Sequence, residues 1–141
     1  MEFLTIINRF FHILSAIIGV GGLFVLWRLV FPALELLEQD QQETVVVGFS
    51  KIWRIVLWHA FALLLVTGAI GAIIGWKSSV TWQMLFGIKM LLAVVVTGLG
   101  VYLTLPGLSA GDQLERRKLY PIAVLVGFGV VAAGAVLRFQ S

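Results

Sequence analysis

The stretch from Asn8 to Pro32 constrains the fold most, because it is an apolar run long enough to cross a lipid bilayer. About 20 apolar residues, at a rise of about 1.5 Å each, span the ~30 Å hydrocarbon core. Between Phe10 and Trp27 the only strongly polar side chain is His12. Burying an imidazole costs free energy unless it is hydrogen-bonded or ligates a metal. The sequence therefore raises the question of what His12 binds.

The composition excludes a water-soluble domain, which needs a polar surface. Hydrophobic residues make up 60% of the 141 residues and charged residues 12%, and the mean hydropathy is +1.05. Four glycine-containing apolar runs lie at about 6–31, 52–75, 82–105 and 119–138, and none alternates with the two-residue period of a membrane strand. We therefore predict an all-α integral membrane protein, a single domain over residues 1–141 that forms an antiparallel bundle of four transmembrane helices.

Basic residues predict the orientation of this bundle. One end, with the two longer connections, holds Arg28, Lys51, Arg54, Arg116, Arg117 and Lys118, and the other end holds Arg9, Lys77 and Arg138. Cytoplasmic loops carry the excess of Lys and Arg, so both termini are expected outside, on the periplasmic side of a bacterial inner (cytoplasmic) membrane. The first span lacks the basic start of a signal peptide and is expected to stay on the chain. The expected partner is the lipid bilayer, and no nucleic-acid binding is predicted.

Three polar side chains fall at membrane depth: His12, His59 and Lys89. At about 1.5 Å per residue, His12 lies ~9 Å and Lys89 ~10 Å inside the same face, whereas His59 lies roughly 10 Å deeper than His12. No Asp or Glu lies inside a predicted span. An anionic ligand such as a porphyrin propionate would therefore suit Lys89, although its ammonium could instead snorkel to the headgroups. His12 could ligate iron or copper, or hydrogen-bond to a neighbouring helix.

Other metal and catalytic chemistries have less support in the sequence. A copper site would use His12 and His59 with Met84 or Met90, because imidazole and thioether ligands suit Cu(I). The chain has no cysteine, so it has no thiolate site and no thiol nucleophile. It has no intramembrane carboxylate, Walker motif or Ser/His/Asp set, which disfavours a pump, an ATPase or a hydrolase.

Two short motifs carry a resemblance to a known family. They are His12-Ile13 with Gly22-Leu23-Phe24-x-Leu26-x-Arg28-Leu29 in the first span, and Lys89-x-Leu91-Leu92 with Val94 in the third. This pattern resembles HemJ-type protoporphyrinogen oxidases and the wider group of small four-helix proteins that includes the CopD copper-resistance domain. The resemblance implies that His12 is an axial ligand of haem b and that Arg28 and Lys89 have functional roles.

Three hypotheses follow from these observations. In the first, the chain is a haem-b-binding membrane protein in which His12 ligates iron and His59 or Lys89 is the second ligand, unless Lys89 neutralises a propionate. If it is an enzyme, it oxidises a tetrapyrrole, with Lys89 and Arg28 as catalytic candidates and haem accepting electrons. In the second, it is a non-catalytic accessory subunit that packs against other membrane-protein subunits. In the third, it binds or passes copper through His12 and His59.

Overall fold

Four helices account for most of the chain. The computed structural model describes residues 2–139 and contains no β-strand over that range. The helices are α1 (Glu2–Leu34), α2 (Gln39–Ile74), α3 (Val80–Leu103) and α4 (Ala110–Phe139). Each is long and apolar enough to cross a membrane. The prediction of an all-α chain with four such helices is confirmed.

The helices extend beyond the predicted spans, most of all at the start of α2. This helix begins at Gln39 rather than near residue 52, because Glu38 and Gln41 form a capping box in which each side chain accepts from the backbone N–H of the other. The amphipathic segment around Val46 and Phe49 therefore continues α2. The connection before it is only a few residues long, instead of the roughly twenty that the sequence suggested.

The start of α4 also lies earlier than predicted. After the turn at Gly107, where φ is +80°, Ser109 caps the new helix by accepting from the backbone N–H of Asp112. A 3₁₀ turn at Arg117–Leu119 precedes the segment Tyr120–Phe139. Pro121 cannot donate a backbone hydrogen bond, and this tighter turn lets the helix continue through it.

Helix α1 contains two π-helical turns, Ile17–Gly21 and Leu26–Val30. A π turn has more residues than an α turn, so it rotates the side chains that follow it around the helix axis, and such turns are frequent at functional sites. The first lies just after His12 and the second contains Arg28. The two halves of α1 therefore present different faces to the rest of the molecule.

The helices pack most extensively as two pairs, α1 with α2 and α3 with α4. Small residues bring the first pair together. Facing positions are Asn8 with Gly71, His12 with Gly68, Gly19 with Phe61 and Gly22 with Trp53. A Cβ at Gly22 would overlap the Trp53 ring, so the two backbones approach as closely as this only because that position is glycine.

The buried core is concentrated at the end of the molecule that holds Arg28. Between Glu2 and Gly19 only Ser15 and Gly19 are buried, and the first buried apolar side chain of α1 is Val20. The second half of α1 packs against α4 as well as α2, whereas the first half packs mainly against α2. The end of the molecule that holds His12 is therefore less filled by side chains than the opposite end.

One ion pair joins the end of α1 to the 3₁₀ turn of α4. Arg117 Nη1 lies 2.8 Å from Glu35 Oε1, and both side chains are substantially exposed, by 39% and 59%. Water screens such a pair, so we expect Glu35→Gln to lower the free energy of unfolding by less than about 1 kcal/mol. Thermal unfolding in detergent would measure this, and the difference from the parent protein should shrink at about 1 M salt. A larger, salt-independent loss would contradict a screened surface pair.

Candidate ligand site at His12 and Lys89

His12 is held against α2 by a hydrogen bond that fixes its tautomer. Its Nδ1 lies 2.9 Å from Oγ1 of Thr67, and that hydroxyl lies 2.6 Å from the carbonyl oxygen of Leu63. A carbonyl can only accept, so the hydroxyl proton points to Leu63 and Oγ1 accepts from the imidazole. Nδ1 therefore carries the proton, and Nε2 keeps a free lone pair. This is the arrangement that metal-bound histidines use, with the second ring nitrogen fixed by an outer partner.

Other polar groups of α1 line the same contact. Asn8 Nδ2 donates to the backbone carbonyl of Thr67 at 3.0 Å, and Ser15 Oγ donates to the carbonyl of Phe11 at 2.7 Å. Thr67 is 5% exposed and Ser15 2% exposed. Asn8, His12 and Ser15 are spaced by four and three residues, so they share one face of α1. Asn8, Ser15 and Thr67 were not among the site residues predicted from the sequence, although that spacing was a signal for the first two.

Lys89 reaches from α3 toward α4. Its Nζ would lie 3.7 Å from a Cβ built on Gly134, so the absence of a side chain at Gly134 makes room for the lysine stem. The side chain is half-buried. Within residues 2–139 its ammonium has no hydrogen-bond or ion-pair partner. A half-buried cation without a counter-charge is costly in free energy.

His12 and Lys89 are close enough to interact electrostatically, although they lie on different helix pairs. The depth estimate from the sequence placed both at one level, and the structure brings them to the same part of the molecule. No protein-family model, curated protein or solved structure matches this chain. What the chain does is therefore inferred from the chemistry of its own residues.

Three of the other candidate residues, His59, Arg28 and Met84, do not join this site. His59 is exposed, and its Nδ1 is hydrogen-bonded at 2.7 Å to the carbonyl of Ile55 in its own helix. It lies nine residues before Gly68, which faces His12, so about 13 Å of helix axis separates the two imidazoles. Arg28 is exposed near Trp27, with 5.5 Å between the guanidinium carbon and the ring centroid. Met84 is 64% exposed.

The described residues do not form a metal cage made by protein side chains alone. In the range 2–139 no group of three or more His, Cys, Asp or Glu side chains could hold a metal ion. The site instead offers a single imidazole with a free Nε2 and a single ammonium without a partner. Such a pair suits a ligand that brings most of its own metal coordination and carries negative charge.

Proposed function

We propose that this chain is an integral membrane protein whose four helices form an antiparallel transmembrane bundle. Contacts between α1 and α2 support the antiparallel arrangement, because residue numbers rise on one helix as they fall on the other, from Asn8 with Gly71 to Gly22 with Trp53. The length and hydropathy of each helix support membrane insertion. The excess of basic residues at the Arg28 end favours a cytoplasmic location for that end, with both termini on the periplasmic side of an inner membrane.

We propose further that the bundle binds haem b through His12. The observation that carries this proposal is the hydrogen bond from His12 Nδ1 to Thr67, which leaves Nε2 available as an axial ligand. Haem iron already has four porphyrin nitrogens, so one imidazole from the protein suffices to anchor it. A copper site would need further side-chain ligands, and His59 is not near His12. Haem therefore fits the donor set better than copper does.

Lys89 supplies the charge that an anionic porphyrin needs. Haem b carries two propionates, and an ammonium without a partner on the facing helix pair would neutralise one of them. Gly68 and Gly134 keep bulk away from the imidazole and the ammonium, respectively. The first half of α1 also contributes no buried apolar side chain. Side-chain packing is therefore sparser at this end of the molecule than at the end that holds Arg28.

In this proposal the protein holds and orients the cofactor. Bound haem supplies one-electron redox chemistry. His12 provides the axial nitrogen, Thr67 sets its tautomer and ring orientation, and Lys89 balances charge. Arg28 lies at the other end of α1 and does not contact this site. The resemblance to HemJ-type proteins makes tetrapyrrole oxidation the reaction class to assay first.

The direct test is the optical spectrum of the full chain, purified in detergent and titrated with haemin. We expect stoichiometric binding with a Soret band and a pyridine haemochrome spectrum of the b type. Protein that remains folded by circular dichroism but binds haemin no better than empty detergent micelles would overturn the proposal.

Lys89→Met tests the charge contribution, because methionine keeps much of the apolar stem and removes the ammonium. We expect haemin affinity to fall about tenfold, since one charge-assisted contact to a propionate is lost. Lys51→Met is the matched control, because Lys51 is an exposed lysine far from His12 along α2. Equal affinities for the two variants would contradict a role for Lys89 in ligand binding. The Soret maximum should stay at the parent position in both variants if His12 remains the axial ligand.

A further inference from the structure

A cavity of about 60 Å³ lies at the opposite end of the molecule from His12. Trp53 lines it, and Trp53 lies fifteen residues before Gly68, or about 22 Å along α2. Helices α1 to α4 all contribute to its walls, and none of its lining side chains is charged. The proposed haem site makes no use of this cavity.

Two hydrogen-bond donors in the cavity wall lack acceptors. Trp53 Nε1 is buried with no hydrogen-bond partner. Tyr120 is 5% exposed, and its hydroxyl has no hydrogen-bond partner among residues 2–139. Buried donors without acceptors cost free energy, so pairing with protein, water or ligand is the rule in folded proteins. Here one fully buried donor, Trp53 Nε1, and a second donor without a partner, the Tyr120 hydroxyl, belong to residues that line one space.

The other polar side chains of the wall are already engaged. Ser50, Thr104 and Gln113 each donate to a backbone carbonyl, of Val47, Gly100 and Leu108 respectively. Trp53 Nε1 and the Tyr120 hydroxyl are therefore the polar groups of the wall side chains that are left without any hydrogen bond. A group that satisfies both must be an acceptor.

Aromatic packing fixes the positions of both donors. The Trp53 ring fits against Gly22 and stacks on Phe49, with ring centroids 6.1 Å apart and 13° between the planes. The Tyr120 ring meets Phe31 edge-on, with centroids 4.9 Å apart. The Trp53 N–H cannot turn toward a new protein acceptor without moving the ring out of these contacts, whereas the Tyr120 oxygen keeps its position and only its proton rotates.

We propose that this cavity binds an uncharged carbonyl group at one end of an amphiphile, with its oxygen accepting from Trp53 Nε1 and the Tyr120 hydroxyl. The lining without charged groups selects a ketone or ester carbonyl over a charged group. A cavity of about 60 Å³ is smaller than the roughly 150 Å³ that encloses benzene, so only the carbonyl end fits inside. The rest of the molecule would lie along half-exposed apolar side chains at the cavity edge, such as Val45. The ring of an isoprenoid quinone and the ester group of a glycerolipid both have this chemistry.

The experiment uses the full chain in nanodiscs of ester-linked or ether-linked phospholipid, because ether lipids lack the carbonyl. The probe is a benzoquinone with a decyl tail, and its affinity is measured by equilibrium binding. Trp53→Phe and Tyr120→Phe each remove one donor and keep an aromatic ring. Trp76→Phe and Tyr102→Phe are the matched controls, because these rings are exposed by 59% and 44% and lie outside the cavity.

If a quinone is the ligand, each donor variant should bind the probe about tenfold more weakly in both lipids, and the control variants should not change. If a lipid ester is the ligand, native mass spectrometry should show that ester lipid is retained over ether lipid. That preference should disappear in Trp53→Phe and Tyr120→Phe, and quinone binding should be absent. The proposal would be overturned if the parent protein showed neither probe binding nor a preference for ester lipid. It would also be overturned if the donor variants and the control variants had equal effects. No readout requires haem, so the two proposals are tested separately.

Discussion

Haemin binding to the His12→Ala variant is expected to be at least about 100-fold weaker than to the parent protein, with loss of the Soret band of the protein-bound form. Substitution of a residue that hydrogen-bonds to a metal-bound histidine already lowers metal affinity about 10- to 100-fold, and this variant removes the ligand itself. The imidazole is half-buried, and its hydrogen bonds join it to α2 and not to its own helix, so α1 should survive its removal. The measurement is a haemin titration followed optically, with circular dichroism on the same samples.

His59→Ala is the matched control for that variant. It removes the only other imidazole of the chain, which is exposed and bound to the carbonyl of its own helix. Its haemin affinity and Soret maximum are expected to equal those of the parent protein. A parent-like spectrum in His12→Ala, or a spectrum lost only in His59→Ala, would show that the axial ligand has been misassigned.

Thr67→Val tests how His12 is oriented. Valine keeps the branched shape of threonine but cannot accept from Nδ1, so the imidazole loses the partner that fixes its tautomer. We expect haemin affinity to fall about 10- to 100-fold while the b-type spectrum persists. Thr104→Val is a control for general effects, because Thr104 is also a buried threonine that donates to a backbone carbonyl, just after the end of α3 and at the other end of the molecule. Equal haemin affinities for the two variants would contradict the proposed role of Thr67.

The sequence predicted the number of helices correctly because that number depends on a quantity that it encodes directly, whereas the shared level of His12 and Lys89 stays a prediction. Hydropathy over about 20 residues identifies a span, and a fixed rise per residue converts sequence position into depth. Helix ends were less accurate because local caps decide them. The capping box at Glu38 lengthens α2 through a polar segment that hydropathy assigns to a loop.

The hydrogen-bond partners within the site could not be predicted in the same way. Thr67 is one of several hydroxyl residues in apolar helices, and only the packing of α1 on α2 places it opposite His12. Depth arithmetic gives a level but not the rotation of a helix about its axis. The two π turns in α1 change that rotation. Helix packing also places Trp53 and Tyr120 at one cavity, although 66 residues separate them in the chain.

Gly100→Ala is expected to destabilise the fold by about 1–3 kcal/mol, because it overpacks the centre of the bundle. A Cβ at this position would overlap the Phe61 ring at Cε2. The ring is 1% exposed, and its opposite edge already lies 3.3 Å from the position that a Cβ on Gly19 would take. Phe61 therefore fills the space between α1 and α3 and has no room to move away from the added methyl group.

Gly98→Ala separates this clash from the intrinsic effect of replacing glycine in a helix. Gly98 is on the same helix two residues earlier, and a Cβ there meets nothing within 4 Å. Alanine favours helix by up to about 1 kcal/mol over glycine, so this variant should be as stable as the parent protein or more stable. Thermal unfolding in detergent would compare the two. In a Phe61→Leu background, Gly100→Ala should lower the free energy of unfolding by less, because leucine leaves space for the added methyl group. The effects of the two substitutions are therefore expected to be non-additive. Similar stabilities for Gly98→Ala and Gly100→Ala would contradict the close approach of α2 and α3 at Phe61.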